Sequence, residues 1–173
     1  YGMSPTEAGM MVLVYMGGNL AMKSITTKIL RRFGFRRVLS VNGALCAATL
    51  AACGLLSPGD PMPLIYVVML TAGMTRSMNF TTVTTLAFAD IGAEQRAGAN
   101  GLATMFQQVA MTLGVAFAAF ALEVSQRVRA APLLELPDFR YVWITLALLM
   151  AFAAIGALRL DPTAGAEVSG KRP

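Results

Sequence analysis

The chain has 173 residues and a formal net charge of +5; 56% of its residues are hydrophobic and 13% are charged. Soluble domains carry about 25% charged residues, so this chain lacks the polar side chains that cover a water-soluble fold. The apolar content also excludes a disordered chain, because disorder requires low hydrophobicity and high charge. The composition therefore predicts an integral membrane protein.

Five apolar runs follow one another along the chain, and a run of about 20 residues spans the bilayer core as a helix. We expect an all-α fold of five transmembrane helices over residues 8–28, 38–56, 64–89, 99–122 and 139–158. Residues 4–7 (Ser-Pro-Thr-Glu) have the capping-box pattern that opens a helix. The prolines within residues 57–63 exclude helix and strand there and predict a tight turn.

The same pattern divides the chain into two parts. Residues 1–160 are expected to form one transmembrane domain. Residues 161–173 are small, polar and charged, and we expect them to be a disordered cytoplasmic tail.

Lysine and arginine are unevenly distributed between the two sides of the predicted domain. Three lie on one side, at Arg127, Arg129 and Arg140, and Arg76 lies inside the third helix. The other ten lie on the opposite side: Lys23, Lys28, Arg31, Arg32, Arg36, Arg37, Arg96, Arg159, Lys171 and Arg172. Because Lys and Arg accumulate in cytoplasmic loops, we predict a cell inner (plasma) membrane protein with an external N-terminus and a cytoplasmic C-terminus. The basic run is mainly a topology signal, with anionic lipid headgroups as secondary ligands; nucleic acid is not an expected partner.

The residues that enzymes and metal sites use are scarce in this sequence. There is no histidine, and neither a P-loop nor a Gly-rich dinucleotide fingerprint occurs. The nine acidic residues all fall at predicted helix ends, in connections or in the tail. Cys46 and Cys53 share one helix face but are too far apart for a disulfide, so they are interpreted as core residues. We therefore expect no enzyme activity, no metal and no cofactor.

Arg76 is the one charged side chain at the predicted membrane depth. It lies 12 residues from Leu64 and 13 from Ala89, and at about 1.5 Å per residue it cannot reach either interface. Such a side chain must face protein or a water-filled cavity. It shares a broad sector of the third helix with four polar residues, namely Thr71, Thr75, Asn79 and Thr82. This stripe is either a wall of a substrate pathway or a buried arginine with threonines bonding to their own helix.

Small and polar residues also mark two other helices. In the fourth helix Gln107 shares a face with Ala110, Gly114 and Ala118, a spacing that permits close helix approach. Gln107 is therefore either a hydrogen-bonding contact between helices or a donor lining a cavity. In the first helix, residues 17–19 (Gly-Gly-Asn) predict either close packing or a hinge or cavity surface.

Together these features resemble the C-terminal half of a major facilitator superfamily transporter, and most closely the fourteen-helix drug:proton antiporter branch. Four stretches carry the resemblance: residues 1–9 (YGMSPTEAG), 31–37 (RRFGFRR), 71–90 (beginning TAGMTRSMNF) and 107–116 (QQVAMTLGVA). The second stretch is similar to the superfamily's basic cytoplasmic loop, here Arg31, Arg32, Gly34, Arg36 and Arg37. Arg31 stands where the family has an Asp, so the charge-relay role of that Asp is not transferred to this chain.

The resemblance implies part of a secondary active transporter, with proton-coupled efflux of drug-like or amphipathic small molecules. Its implied partners are the lipid bilayer, a small-molecule substrate and a missing N-terminal half, because the substrate site lies between two halves. From the start at Tyr1 and the odd helix count we expect a piece of a longer reading frame. The alternative is a complete five-helix membrane protein with a structural or partner-binding role, which the DNA upstream of Tyr1 distinguishes.

Overall fold

The computed structural model describes residues 3–89, 91–92, 94–130, 132–161 and 164–165. Within them the chain is all-α, which confirms the predicted fold class. Five helices occur in this part of the chain: α1 (Pro5–Phe33), α2 (Phe35–Leu55), α3 (Met62–Ala87), α4 (Arg96–Val128) and α5 (Leu136–Ala157).

The helix starts follow the local capping chemistry. The Ser4 hydroxyl accepts a hydrogen bond from the Glu7 backbone N–H at 3.3 Å, and the Ser4 backbone N–H donates to the Glu7 carboxylate at 2.8 Å. The predicted capping box is therefore confirmed. The predicted turn is present as well, with the Asp60 carboxylate accepting from the Ser57 backbone N–H at 2.7 Å. Its end differs, because α3 already begins at Met62, and Pro63 fits the first helical turn, where no N–H is needed.

The connection between α1 and α2 is shorter than predicted. The expected loop over residues 29–37 is reduced to Gly34, because the arginines on both sides continue the helices. Gly34 has a φ of +78°, a conformation that L side chains rarely adopt. Its backbone N–H donates to the Leu30 carbonyl at 2.9 Å and closes α1. Phe35, directly after the turn, packs into a buried cluster with Leu30, Val38 and Met78.

Glycines bring the helix pairs into close contact. A Cβ atom on Gly18 would clash with the Leu70 carbonyl oxygen, and one on Gly73 would clash with the Tyr15 carbonyl oxygen. Of the predicted patch at residues 17–19, Gly18 and Asn19 are thus used for close packing of α1 on α3, and Gly17 is not. Between α2 and α5, a Cβ on Gly43 would lie 2.7 Å from the Cβ of Ala154. In both helix pairs, glycine allows the backbone of one helix to contact the backbone or a Cβ atom of the other.

Helix α4 is packed less tightly against the rest of the fold than the other helices are. Along its 33 residues, Ala121 is the one buried residue, and α4 packs against the start of α5. A fully buried carboxylate, Asp138, joins the two helices. It accepts hydrogen bonds from the Ser125 hydroxyl at 2.7 Å and from Arg129 Nε at 2.9 Å. The first half of α4 is mostly exposed, and its start, at Arg96, Ala97 and Asn100, borders a cavity with the end of α3.

Three of the described helices, α2, α4 and α5, are long and apolar enough to cross a membrane by length and composition. Helices α1 and α3 are equally long, with 29 and 26 residues. They carry more polar side chains, and they direct some of these at each other: the Ser77 hydroxyl of α3 donates to the Asn19 carbonyl of α1 at 2.8 Å.

The tail is described at few positions. Ala164 and Gly165 form a turn, and Gly165 is buried beside the ring of Phe35. Most of the tail, at 162–163 and 166–173, lies outside the described residues, as do Tyr1, Gly2 and Asp90. Disorder of the tail stays a prediction.

Candidate functional site

Arg76 is exposed on the side of α3 that faces α1. Its Nη1 atom donates a hydrogen bond to the hydroxyl of Tyr15 at 2.8 Å. No carboxylate forms an ion pair with Arg76 among the residues that the structure describes. A guanidinium has five N–H donors, so most of its hydrogen-bonding capacity remains available.

Beside Arg76 lies an open cavity of about 580 Å³ that residues of four helices line. Tyr15 contributes from α1, Thr49 from α2, and Trp143 and Met150 from α5. Most of the wall is apolar, because it is completed by Cys46, Leu50, Cys53, Met69, Ala72, Phe80 and Val83. This is the size of a small-molecule site, and mostly apolar walls with a few polar groups are characteristic of such sites.

Asn79 lies one turn beyond Arg76 and lines the same cavity. Its amide Nδ2 donates to the sulfur of Met150 at 3.9 Å. A thioether is a weak acceptor, so this contact leaves the amide able to bind a better acceptor. Arg76 and Asn79 are the two residues of the predicted stripe that the structure brings to the cavity.

Thr75 is buried behind the cavity wall, between α2 and α3. Its hydroxyl donates to the Thr71 carbonyl at 3.0 Å and lies 3.4 Å from the hydroxyl of Thr49. The Thr75 carbonyl accepts a hydrogen bond from the buried Asn42 amide at 2.8 Å. Asn42 was not predicted from the sequence as a structural hydrogen-bond donor. Its position as a polar residue within an apolar run could have indicated this role. Thr75 therefore supports the wall and does not line the cavity.

The remaining threonines of the stripe bond to their own helix. The Thr82 hydroxyl donates to the Met78 carbonyl at 2.7 Å, and Thr82 is fully buried. The Thr71 hydroxyl donates to the Val67 carbonyl at 2.7 Å. This matches the alternative interpretation of the stripe for these two residues. The polar sector thus divides into a cavity-facing pair and three locally satisfied hydroxyls, of which those of Thr75 and Thr82 are buried.

Gln107 is not brought to this cavity. It lies in the exposed half of α4, and no side-chain hydrogen bond involves it within the described residues.

Arg31 and Arg32 lie in the last turn of α1, where positive charge complements the helix dipole. Arg36 and Arg37 lie in the first turn of α2, across Gly34. These basic side chains form a cluster at one end of the bundle.

A second charged cluster, at the other end, was not predicted from the sequence. Arg129 binds Asp138 through two nitrogens and also donates Nη1 to Glu135 at 2.8 Å. The signal for it was available, since Glu135 and Asp138 have capping-box spacing just before an apolar run. Nearby, Arg140 Nη2 donates to the Ser57 hydroxyl at 2.6 Å. This contact places the turn after α2 and the start of α5 at the same end, as the alternating topology requires.

Metal chemistry has no support in the described part of the chain, where no three His, Cys, Asp or Glu side chains converge on one point. Cys46 and Cys53 are both free thiols on the cavity wall. Both residues are buried, which confirms the prediction of core residues, and the same face of α2 also borders the cavity.

Comparison with known proteins gives a consistent family. The family model described as Major Facilitator Superfamily matches residues 1–173. A protein of Cronobacter sakazakii is 38% identical over 122 residues, which is 70% of this chain and 26% of that protein. A protein of Pectobacterium carotovorum is 33% identical over 156 residues, 89% of this chain and 34% of that protein. A protein of Citrobacter koseri is 31% identical over 157 residues, 89% and 33% respectively.

Each of these three relatives carries a name that assigns it provisionally as multidrug resistance protein MdtD. The chain spans about a quarter to a third of their length. No solved structure matches the chain. The family match covers every residue and agrees with the all-α, multi-pass architecture, so the chain belongs to the Major Facilitator Superfamily of membrane transporters.

Proposed function

We propose that the chain is part of the C-terminal half of a secondary active transporter that exports drug-like or amphipathic small molecules. The observation that carries the proposal is Arg76, a cation at the edge of an apolar cavity of about 580 Å³ with no carboxylate partner in the described structure. Arg76 and Asn79 are the residues that bind substrate. The names of the relatives support the efflux direction.

Transport by this superfamily requires two halves that move around a site at the membrane midplane. The relatives are about three to four times as long as the part that the chain matches. We therefore propose that the chain works together with a missing N-terminal half of the same transporter. The exposed face of α4, with Gln107, Ala110, Gly114 and Ala118, is a suitable contact surface because small residues permit close helix approach.

Proton is the proposed coupling ion, and we place the titrating group outside this chain. A coupled antiporter needs an ionisable group in the substrate pathway. The sequence has no histidine, and the described acidic residues lie at helix ends or in connections. Asp138, the fully buried one, is held by Arg129 and Ser125 away from the cavity.

The proposed orientation follows the charge count. The basic cluster around Gly34 faces the cytoplasm, the Ser57 turn lies outside, and the C-terminus is cytoplasmic. The bacterial relatives and the helical spans support the cell inner membrane as the location.

An efflux assay in whole cells tests the proposal. The complete reading frame that contains this chain is expressed in a host lacking its own efflux pumps, and accumulation of anionic, neutral and cationic amphipathic dyes is followed. We expect Arg76→Met to abolish export and Arg76→Lys to weaken it, because lysine keeps the charge but loses the planar fork of donors. Arg127→Met, on the exposed surface of α4, is the matched control. Normal insertion and wild-type export by Arg76→Met would show that Arg76 is not a substrate-binding residue.

A further inference from the structure

We infer that the cavity beside Arg76 selects amphipathic molecules that carry an anionic group, such as a carboxylate or sulfonate, on an aromatic or apolar body. The inference rests on the proposed function and deepens it, because it assigns the charge of the substrate. The one charged side chain among the described residues that line the cavity is Arg76. An anionic ligand is the chemistry that a single unpaired guanidinium recognises.

The hydroxyl of Tyr15 orients the guanidinium. Nη1 is held at 2.8 Å from Tyr15 Oη, and Tyr15 itself lines the cavity. A tethered guanidinium keeps its planar fork of donors in one orientation, which favours bidentate contact with a carboxylate. Asn79 lies one turn further along α3 and adds an amide donor on the same wall. An anionic headgroup therefore meets donors from both residues.

The rest of the cavity suits an apolar or aromatic body. Phe80 and Trp143 contribute ring surfaces, and Met69 and Met150 contribute polarisable, adaptable side chains. A cationic substrate, in contrast, requires a carboxylate to compensate its charge in a largely apolar cavity. None of the described lining residues is acidic, and Arg76 repels a second positive charge. The wall therefore discriminates by charge as well as by size.

Trp143 provides a direct measurement, because it is the only tryptophan of the chain and it lines the cavity. When a dansyl group binds beside Trp143, excitation energy passes from the tryptophan to the dansyl group by resonance energy transfer. The full 173-residue chain, in nanodiscs of zwitterionic phosphatidylcholine, is titrated with three probes that share this fluorophore. They are dansylglycine (anionic), dansylamide (neutral) and dansylcadaverine (cationic). Neutral bilayers avoid enrichment of either charged probe at the membrane surface.

We expect dansylglycine to bind at least tenfold more tightly than dansylcadaverine, a factor that corresponds to ~1.4 kcal/mol. Arg76→Met is expected to remove the advantage of dansylglycine over dansylamide, and Arg76→Lys is expected to retain part of it. Arg96→Met is the matched control, because Arg96 lies at the start of α4 and does not line this cavity. Helicity by circular dichroism verifies that each variant is folded.

The outcomes separate the inference from the proposed function. Equal or tighter binding of dansylcadaverine, or an unchanged dansylglycine affinity in Arg76→Met, overturns the charge assignment but leaves a small-molecule site. Failure of all three probes to bind, both to the 173-residue chain and to the protein from the complete reading frame, overturns both the charge assignment and the cavity as the substrate site.

A carboxylate that meets Arg76 has two possible sources, a substrate or a side chain of the N-terminal half. Repeating the titration on the protein from the complete reading frame distinguishes them. Retained dansylglycine binding supports the substrate. Loss of that binding in the longer protein, with retained binding in the 173-residue chain, identifies Arg76 as the partner of a protein carboxylate and overturns the inference.

Discussion

Gly73 of α3 lies directly against the carbonyl oxygen of Tyr15 in α1, where no side chain fits. One turn further along α3, Arg76 donates to the hydroxyl of the same tyrosine at 2.8 Å. Because the backbones of α1 and α3 are in contact at Gly73, the Arg76 guanidinium lies within hydrogen-bond distance of the Tyr15 hydroxyl. The α1–α3 contact is therefore part of the candidate site and not only of the core.

Adding a methyl group at either close contact is expected to separate α1 from α3. For Gly73→Ala and Gly18→Ala we expect a loss of about 1–3 kcal/mol in unfolding free energy, because the new Cβ meets backbone atoms that cannot rotate away. Thermal unfolding followed by circular dichroism measures it. Gly17→Ala is the matched control, since no atom lies within 4 Å of its Cβ position. Equal behaviour of Gly17→Ala and Gly18→Ala would contradict the described packing.

The turn between α1 and α2 depends on the conformation of Gly34. Its φ of +78° and ψ of 162° belong to a region that is almost restricted to glycine. We expect Gly34→Ala to lower the unfolding free energy by about 1–3 kcal/mol through backbone strain alone, since there is space for the methyl group. Gly9→Ala, in the open first part of α1, serves as the control for the same measurement. An unaffected Gly34→Ala protein would mean that the two helices are joined differently.

The buried carboxylate of Asp138 is expected to hold α4 in place. Asp138→Asn removes the charge that Arg129 binds, so we expect the unfolding temperature to fall by several degrees. Glu123→Gln breaks an exposed ion pair with Arg127, and such pairs contribute about 0.5 kcal/mol or less. If the two variants lose the same stability, the Arg129–Asp138 contact does not hold the helix.

The orientation in the membrane can be measured with reporter fusions. A reporter active only outside the cytoplasm is expected to be active when fused after Gly59 and inactive when fused after Lys171. The expectation rests on ten Lys and Arg residues on the predicted cytoplasmic side against three on the other. The reverse pattern of activity would invert the proposed topology.

If export is proton-coupled, as proposed above, the coupling is expected to survive the loss of any single acidic residue of this chain. In the transporter from the complete reading frame, neutralising each acidic residue one at a time should leave proton-driven export detectable, because none of the described carboxylates lines the cavity. Dye export driven by an imposed pH gradient is the measurement. Loss of coupling in Asp90→Asn or Glu123→Gln at normal expression would place the coupling group in this chain.

Local chemistry was sufficient to predict much of the fold. Apolar runs of spanning length located all five helices, because the bilayer imposes helix on any such segment. The Ser4 cap and the Ser57 turn were also predictable, since each involves residues only three positions apart. The extension of α1 to Phe33 was missed because arginines end an apolar run without ending a helix.

The candidate site itself was decided by tertiary structure. Periodicity placed Arg76, Asn79, Thr75 and Thr82 in one sector, but a sector of that width faces more than one neighbouring helix. Packing of α2 on α3 buries Thr75, and Thr82 is satisfied within its own helix, so only Arg76 and Asn79 reach the cavity. The contact of Tyr15 with Arg76, 61 positions away, has no signature in a linear pattern. The spacing of Glu135 and Asp138 indicates a capping box, but the ion pair of Asp138 with Arg129 depends on the contact between α4 and α5. Hydrogen bonds between helices depend on how the helices cross, and the sequence of one helix does not contain that angle.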